Sequence, residues 1–265
     1  MVGGALKRYF EKQGRETGKD LFLYDKGKNI GSIDELNKAE VIFVCVPTPF
    51  LKDGKGFDLS YNEEVCSQII GEKIIVLKST ILPGITEYFQ DKYPQHKFLF
   101  NPEFLKETSA DWDMNNPERQ IVGHTARSKE MVGFVLEILP PAPYKKEMPA
   151  TEAELVKYFG NNFLAIKVAF ANQMYEICKK LGVSYDNIAE AASRDSRIGK
   201  SHLSVSYDGY RGYGGTCFPK DIRAMIQFGD KLGIDLKIHK AAEELNNMLM
   251  EEQGIDNPEK FSKRT

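Results

Sequence analysis

VIFVCV at 41–46 and IIVL at 74–77 are unbroken apolar runs, each too short for a buried helix and rich in β-branched residues. Runs that are apolar at every position belong to strands covered on both faces, as in a parallel sheet between two layers of helices. Outward from these, KFLF (97–100) and RQIVG (119–123) repeat the pattern, and LFLY (21–24) reads as a short strand ending at Asp25. Helical stretches separate them: residues 2–13, with Ala5, Leu6, Tyr9 and Phe10 at helical spacing, IDELNKAE (33–40), a helix near 59–70, the proline-started PGITEYFQDKY (83–93) and SKEMVGFVLEIL (128–139). Strand and helix alternating over residues 1–145 predict an α/β fold, a doubly wound parallel sheet.

After PPAP at 140–143 the pattern changes. From Ala150 to Leu181 the apolar residues follow a helical period without a proline break, and helices follow at about 185–193, 221–232 and 236–252. This predicts an all-helical domain over 146–252 and a polar tail over 253–265. With 36 basic and 38 acidic residues the net charge is −2, which excludes the general basic field of a nucleic-acid binder. No apolar run approaches the roughly 18 residues of a membrane span, and the start MVGGALKRYFEKQGR lacks a secretory core, so a cytoplasmic protein is expected. Cys45, Cys66, Cys178 and Cys217 are too scattered for a disulfide scaffold, and His96, His124, His202 and His239 form no ligand pair, so no metal site is expected.

Four features carry chemistry. Val2-Gly3-Gly4 opening a helix, with Asp25 closing the next strand, matches half of a nucleotide-binding βαβ unit, or else an ordinary helix start and strand end. In YGGTCFPKD (213–221), Gly214 and Gly215 allow close backbone approach, and Cys217 stands at a helix start near Lys220, a setting that favours a thiolate nucleophile; a structural thiol is the alternative. Lys157 and Asn161, four apart on one helix with Glu154 nearby, form an oxyanion-stabilising pair or simply a solvated face. Finally, KSTILPG (78–84) and NPEFLKETSA (101–110) place Thr80, Glu103 and Glu107 at strand ends, where open sheets bind ligands.

Taken together, VIFVCVPTP, VLKSTILPG, NPEFLKETSADWD, PERQIVG, VKYFGNNFLAIKVAFANQ, DSRIG and GYGGTCFPKD resemble the ordered motifs of the UDP-glucose/GDP-mannose dehydrogenase family, across about residues 1–250. The resemblance implies a Rossmann-like domain whose first strand is missing, followed by a helical dimerisation domain. It implies two successive NAD-dependent oxidations of a nucleotide-sugar alcohol to the acid, most like the UDP-glucose branch, in a homodimer that binds neither nucleic acid nor membrane. It casts Cys217 as nucleophile, Lys157 and Asn161 as oxyanion stabilisers, Asp221 as the organiser of Lys157 and the reactive water, and Glu103 and Thr80 as water and proton handlers. NAD contacts fall on Gly3, Asp25, Thr48, Thr80 and Glu107, and sugar-nucleotide contacts on Phe104, Leu105, Lys106, Lys157, Asn161, Gly214, Gly215 and an Arg197 given by the partner. Other readings are a different UDP- or GDP-hexose dehydrogenase, or a silent truncated dimerisation or cofactor-binding module. The absent strand would lie mid-sheet, so its loss should open the core beside it.

Overall fold

The computed structural model describes residues 1–51, 56–207 and 209–256, without the side chains of Glu107 and Tyr207. Most of the tail read at 253–265 therefore lies outside the described residues. In chain order the elements are α1 (Val2–Lys12), α2 (Ile33–Leu36), β1 (Val41–Val44), β2 (Phe50–Leu51), β3 (Gly56–Phe57), α3 (Ser60–Ser67), β4 (Ile74–Leu77), α4 (Ile85–Lys92), β5 (Lys97–Phe100), α5 (Ala110–Asn115), β6 (Arg119–His124), α6 (Val132–Ile138), β7 (Tyr144–Pro149) and α7 (Ala150–Leu181). There follow α8 (Tyr185–Ser193), β8 (Ser206–Tyr207), β9 (Tyr210–Arg211), α9 (Phe218–Lys231) and α10 (Lys237–Glu252). Two units divide the chain inside α7, one ending at Lys157 and the other running from Tyr158. The division falls beyond the expected 145/146 boundary because β7 pairs along its whole length with β6, and Ala153 and Val156 of α7 pack into the core beneath the sheet.

In the first unit a five-stranded sheet runs β1-β4-β5-β6-β7. Strand side chains alternate between faces, and the two cores sort accordingly. Ile42, Val44, Ile75, Leu77, Phe98, Phe100 and Ile121 pack with Leu36 of α2, Cys66 of α3, Phe89 of α4 and Ala153 of α7. Ile74, Val76, Leu99 and Val122 face the other way, onto Ala5, Leu6 and Tyr9 of α1, Met114 of α5, and Val132 and Val135 of α6. Helices thus cover both faces, which is why the interior strand β4 is buried at all four positions. At Gly123 a Cβ would lie 2.7 Å from that of Ala153, so glycine is what lets α7 leave the sheet so closely.

Three expectations are corrected. LFLY (21–24) forms no ladder; it takes part in a single bridge, Leu21 with Thr17, and Asp25 just after it bridges Ile30. An extended apolar run becomes a strand only when a neighbour takes its hydrogen bonds, and β1 is itself the end of the sheet, with Val41 and Phe43 half-buried. The sheet is not wholly parallel, because β6 runs antiparallel to β5. The helical unit also contains a hairpin, β8–β9, within the loop before Cys217. Otherwise that unit packs as expected: Ala165, Val168 and Ala169 of α7 meet Ile222 of α9 and Ala242 of α10.

The start of α4 has no side-chain cap of its own, since its N-cap is Gly84 at φ +94°. Glu154 of α7 replaces it: one carboxylate oxygen accepts from Gly84 N at 2.6 Å, the other from Thr86 N at 2.8 Å and Thr86 Oγ1 at 2.6 Å. Burial pushes the Glu154 carboxyl up to about 7, against the pull of these three donors. The folded chain then holds a proton that the unfolded chain, with its ordinary carboxyl at 4.5, has released. Stability from this group is therefore full below pH 4.5 and falls as pH rises to about 7, by about 3 kcal/mol in total. Urea midpoints against pH should show that slope in the native chain and lose it in Glu154→Gln.

Asn62 on α3 is fully buried, and among the described residues neither its Oδ1 nor its Nδ2 has a hydrogen-bond partner. Asn62→Leu, close in shape and without orphaned groups, is expected to raise the unfolding free energy by about 1–3 kcal/mol in chemical denaturation.

Candidate active site

Loops with polar side chains leave the carboxyl ends of β1, β4 and β5, the end at which open α/β sheets bind ligands. After β1, the buried Thr48 donates its hydroxyl to Thr80 O at 2.7 Å, and after β4, Ser79 Oγ donates to Val46 O at 2.7 Å, so the two loops are stitched together. After β5 comes Glu103, whose side chain is 9% exposed, paired with Lys157 of α7, 7% exposed. Lys157 Nζ donates to Glu103 Oε1 at 2.8 Å and to Glu103 O at 2.7 Å, and Leu105 N donates to Glu103 Oε2 at 2.9 Å. Burial works to raise the Glu103 carboxyl, but the Lys157 charge and hydrogen bond, the Leu105 amide and the Lys78 charge outweigh it and hold it below the usual carboxylate range.

Phe104 lies under the Arg119 guanidinium, 3.9 Å from its ring centre, with Lys157 Nζ at 6.0 Å. Leu105 packs against the core that faces α1, and Lys106 is exposed, its amide donating to Asp113 Oδ2 at 2.8 Å. In Leu105 and Lys106 it is thus the backbone that is anchored. Glu107 opens a short 3-10 turn, its side chain outside the described residues.

In the second unit Cys217 is the N-cap of α9, with Thr216 Oγ1 3.8 Å from its sulfur. Asp221, one turn on and fully buried, accepts from Asn161 Nδ2 at 2.5 Å and from Lys220 Nζ at 2.5 Å. Lys220 therefore engages Asp221, rather than standing simply as a counter-charge to the thiol as the sequence suggested. Gly215 has φ +75° in open space and Gly214 is half-buried, so the backbone before Cys217 turns where a side chain would strain it. Arg197 is 87% exposed and held by Asp195 of its own loop. Of the other thiols, Cys66 is pushed up to about 12 and Cys45 to about 11, both by burial, which keeps them protonated at neutral pH.

Of the residues read as dinucleotide contacts, Gly3 and Asp25 have surroundings that such a ligand could use. α1 begins with Met1 as N-cap and no side-chain cap, which leaves its first amides for an anion. A Cβ on Gly3 would lie 3.4 Å from Cys45 Cβ, so the helix start sits against the end of β1. Asp25 is half-exposed and accepts from Lys28 N at 3.0 Å, leaving carboxylate capacity for a ribose hydroxyl. Among the described residues no cluster of His, Cys, Asp or Glu could hold a metal, and no helix is long and apolar enough to cross a membrane.

Lys78 and Asn101 were not picked out from sequence, and Glu154 was noted only as a carboxylate near Lys157 and Asn161. The one signal for Lys78 was a charge placed directly after the all-apolar IIVL.

A mostly parallel sheet with helices on both faces and polar loops at its carboxyl ends defines a nucleotide-binding α/β domain, here followed by a helical domain that bears a thiol at a helix start. Residues 26–138 match the NAD binding domain of the UDP-glucose/GDP-mannose dehydrogenase family, and residues 151–248 match its central domain. The chain belongs to that family. It is 36% identical over 220 residues to UDP-glucose 6-dehydrogenase of Rickettsia felis, covering 78% of this chain and 48% of the relative. It is 35% identical over 225 residues to UDP-glucose 6-dehydrogenase TuaD of Bacillus subtilis, covering 80% and 47%. The structure of a UDP-glucose dehydrogenase from Pyrobaculum islandicum superposes with a TM-score of 0.73 at 33% identity, covering 84% of this chain and 55% of that one. The chain thus spans about half the length of the curated relatives it matches.

Proposed function

We propose that the chain oxidises the C6 alcohol of UDP-glucose to the carboxylate, with NAD as oxidant. The observation that carries this reading is the first turn of α9, where Cys217 stands at the N-cap position and the buried Asp221 follows, tied to Asn161. Sequence likeness supports the sugar: the UDP-glucose relatives stand at 30–36% identity, against 26% for the structure of a GDP-mannose dehydrogenase from Pseudomonas aeruginosa.

When bound, NAD accepts a hydride at each of the two oxidations. After the first, Cys217 Sγ adds to the aldehyde carbon to give a thiohemiacetal. Loss of a hydride from that carbon leaves a thioester, which water cleaves to the acid while the thiol is restored. One alcohol, one water and two NAD thus give one carboxylate, two NADH and three protons. Lys157 and Asn161 stabilise negative charge on the sugar oxygen, Asp221 fixes Asn161, and Glu103 with Thr80 orients water and takes up protons. Gly3, Asp25, Thr48 and Glu107 hold the cofactor. Phe104, Leu105, Lys106, Gly214, Gly215 and a partner's Arg197 hold the sugar nucleotide.

The test is the ratio of NADH formed to UDP-glucose consumed. Two per sugar is the expected result. No NADH with UDP-glucose, but turnover of GDP-mannose or another UDP-hexose, would reassign the substrate; none with any of them would leave a silent dimerisation or cofactor-binding module.

A homodimer belongs to the same reading. Phe159, Phe163, Phe170, Ile177 and Leu181 line one stripe of α7, each 51–79% exposed, more apolar surface than a lone helix leaves to water. A second copy of the stripe would cover it by two-fold symmetry. Light scattering should give the mass of two chains, and Phe163→Glu with Phe170→Glu should give one; a native monomer would refute the dimer.

A further inference from the structure

Asn246, 1% exposed, lies on the buried face of α10 with Ala242, Leu249 and Met250. Its amide group pairs with one backbone residue at both of that residue's polar groups: Tyr213 N donates to Asn246 Oδ1 at 2.7 Å, and Asn246 Nδ2 donates to Tyr213 O at 2.9 Å. Gln253, the C-cap of α10, treats Arg211 in the same way, accepting from its amide at 2.7 Å and donating to its carbonyl at 3.0 Å. The end of α10 thus does for alternate residues leaving β9 what a neighbouring strand would do. Between them Gly212 has φ +92°, and a Cβ there would lie 2.6 Å from Asn246 Oδ1, so glycine is what allows this approach.

One turn before Asn246 on α10, Glu243 joins the two sides of the glycine turn. It accepts from the Tyr213 hydroxyl at 3.2 Å, ahead of the turn, and from Arg223 Nε of α9 at 2.5 Å, beyond it. Burial and the Glu243 charge push the Tyr213 phenol up, which keeps it a donor. The turn itself is held by little: among the described residues no hydrogen bond uses the amides of Gly214, Gly215 or Thr216. Its shape is therefore set at its ends. Gln253 is exposed, so water can take its place, whereas loss of Asn246 leaves the amide and carbonyl of the buried Tyr213 unpaired.

We propose that Asn246 is a positioning residue: by clamping the backbone at Tyr213 it sets the glycine turn and, through it, the place of Cys217 four residues on. The proposal rests on the function given above only for what the turn meets, a sugar nucleotide at Gly214 and Gly215 and an aldehyde at Cys217. The clamp stands apart from that reading.

The experiment is amide hydrogen exchange by NMR on the whole chain. Its reporters are Tyr213 N, which donates to Asn246, and Asp221 N, which donates to Cys217 O at 3.0 Å. In Asn246→Leu, close in shape and unable to make either bond, both should lose protection by about tenfold or more while the amides of α7 keep theirs. Asn246→Asp separates bonding from packing, and serves if the leucine variant does not fold. At about pH 5 a buried aspartate is still neutral and can accept from Tyr213 N and donate to Tyr213 O as the native amide does; at about pH 8 its carboxylate cannot donate. Relative to the native chain at each pH, protection at the two reporters should be kept in the first condition and lost in the second.

Unchanged protection at Asp221 would overturn the proposal, because the clamp would not reach Cys217. A loss spread equally over the helical unit, or an aspartate variant indifferent to pH, would overturn it too, because Asn246 would then only hold the fold. The exchange needs no turnover, so absence of NADH formation in the unaltered chain would fail the functional reading and leave the clamp standing. Where the chain turns over, Asn246→Leu should lower kcat by about tenfold with KM for NAD unchanged.

Discussion

Under the proposed function, Cys217→Ser is expected to stop the reaction after the first oxidation, cutting acid formation by about a thousandfold or more while one hydride transfer survives. The serine hydroxyl is a far weaker nucleophile toward an aldehyde, and an ester, if formed, releases its acid more slowly than a thioester. NADH per UDP-glucose should fall from two to one or below, and mass spectrometry of the native chain quenched in turnover should find the acyl group on Cys217. Full conversion to acid by the variant would remove the covalent route. The other cysteines offer no bypass: Cys66 and Cys45 stay protonated at neutral pH because burial pushes them up to about 12 and about 11. Cys178 is buried within α7.

The second large effect concerns folding. Lys157→Met strips the contacting cation from a Glu103 whose side chain is 9% exposed, and should destabilise the chain by about 3–5 kcal/mol, because the remaining carboxylate is buried without its partner. Adding Glu103→Gln should recover most of the loss, since an amide needs no counter-charge. Denaturation of the two single variants and the double one closes the cycle. If the two losses simply add, the pair is not energetically coupled, and both residues act separately.

How far the molecule could be read depended on whether the signal was local. VIFV, IIVL and KFLF announced strands because both faces of each are covered, so every position but Lys97 is apolar. YKKEMP (144–149) gave no such signal: five of its six positions are exposed, and it is a strand only because β6 offers it a ladder. LFLY failed in the opposite direction, with strand-like residues and no neighbour to complete the hydrogen bonds. The 32-residue helix α7 was legible from period alone, whereas the point at which its contacts pass from the sheet to the helical unit was not.

The site divides in the same way. Cys217 stood out because a thiol between a glycine pair and a proline-opened helix has a recognisable local setting. Lys157 and Asn161 shared a helix face by spacing, but nothing in that spacing showed that one holds Glu103 and the other Asp221. Glu154, adjacent in the chain to these residues, was visible as a carboxylate and not as the cap of a distant helix.

The order of strands and helices, the sign and sparseness of charge, and the chemically capable side chains were determined by the sequence itself, because periodicity and residue type are local properties. The direction of β6, the ladder for β7, the buried pairing of Glu103 with Lys157 and the tether of Lys78 to Asn101 were decided by tertiary structure. Each joins residues distant in the chain, and the strength of a charge or a hydrogen bond depends on what packing removes from water around it.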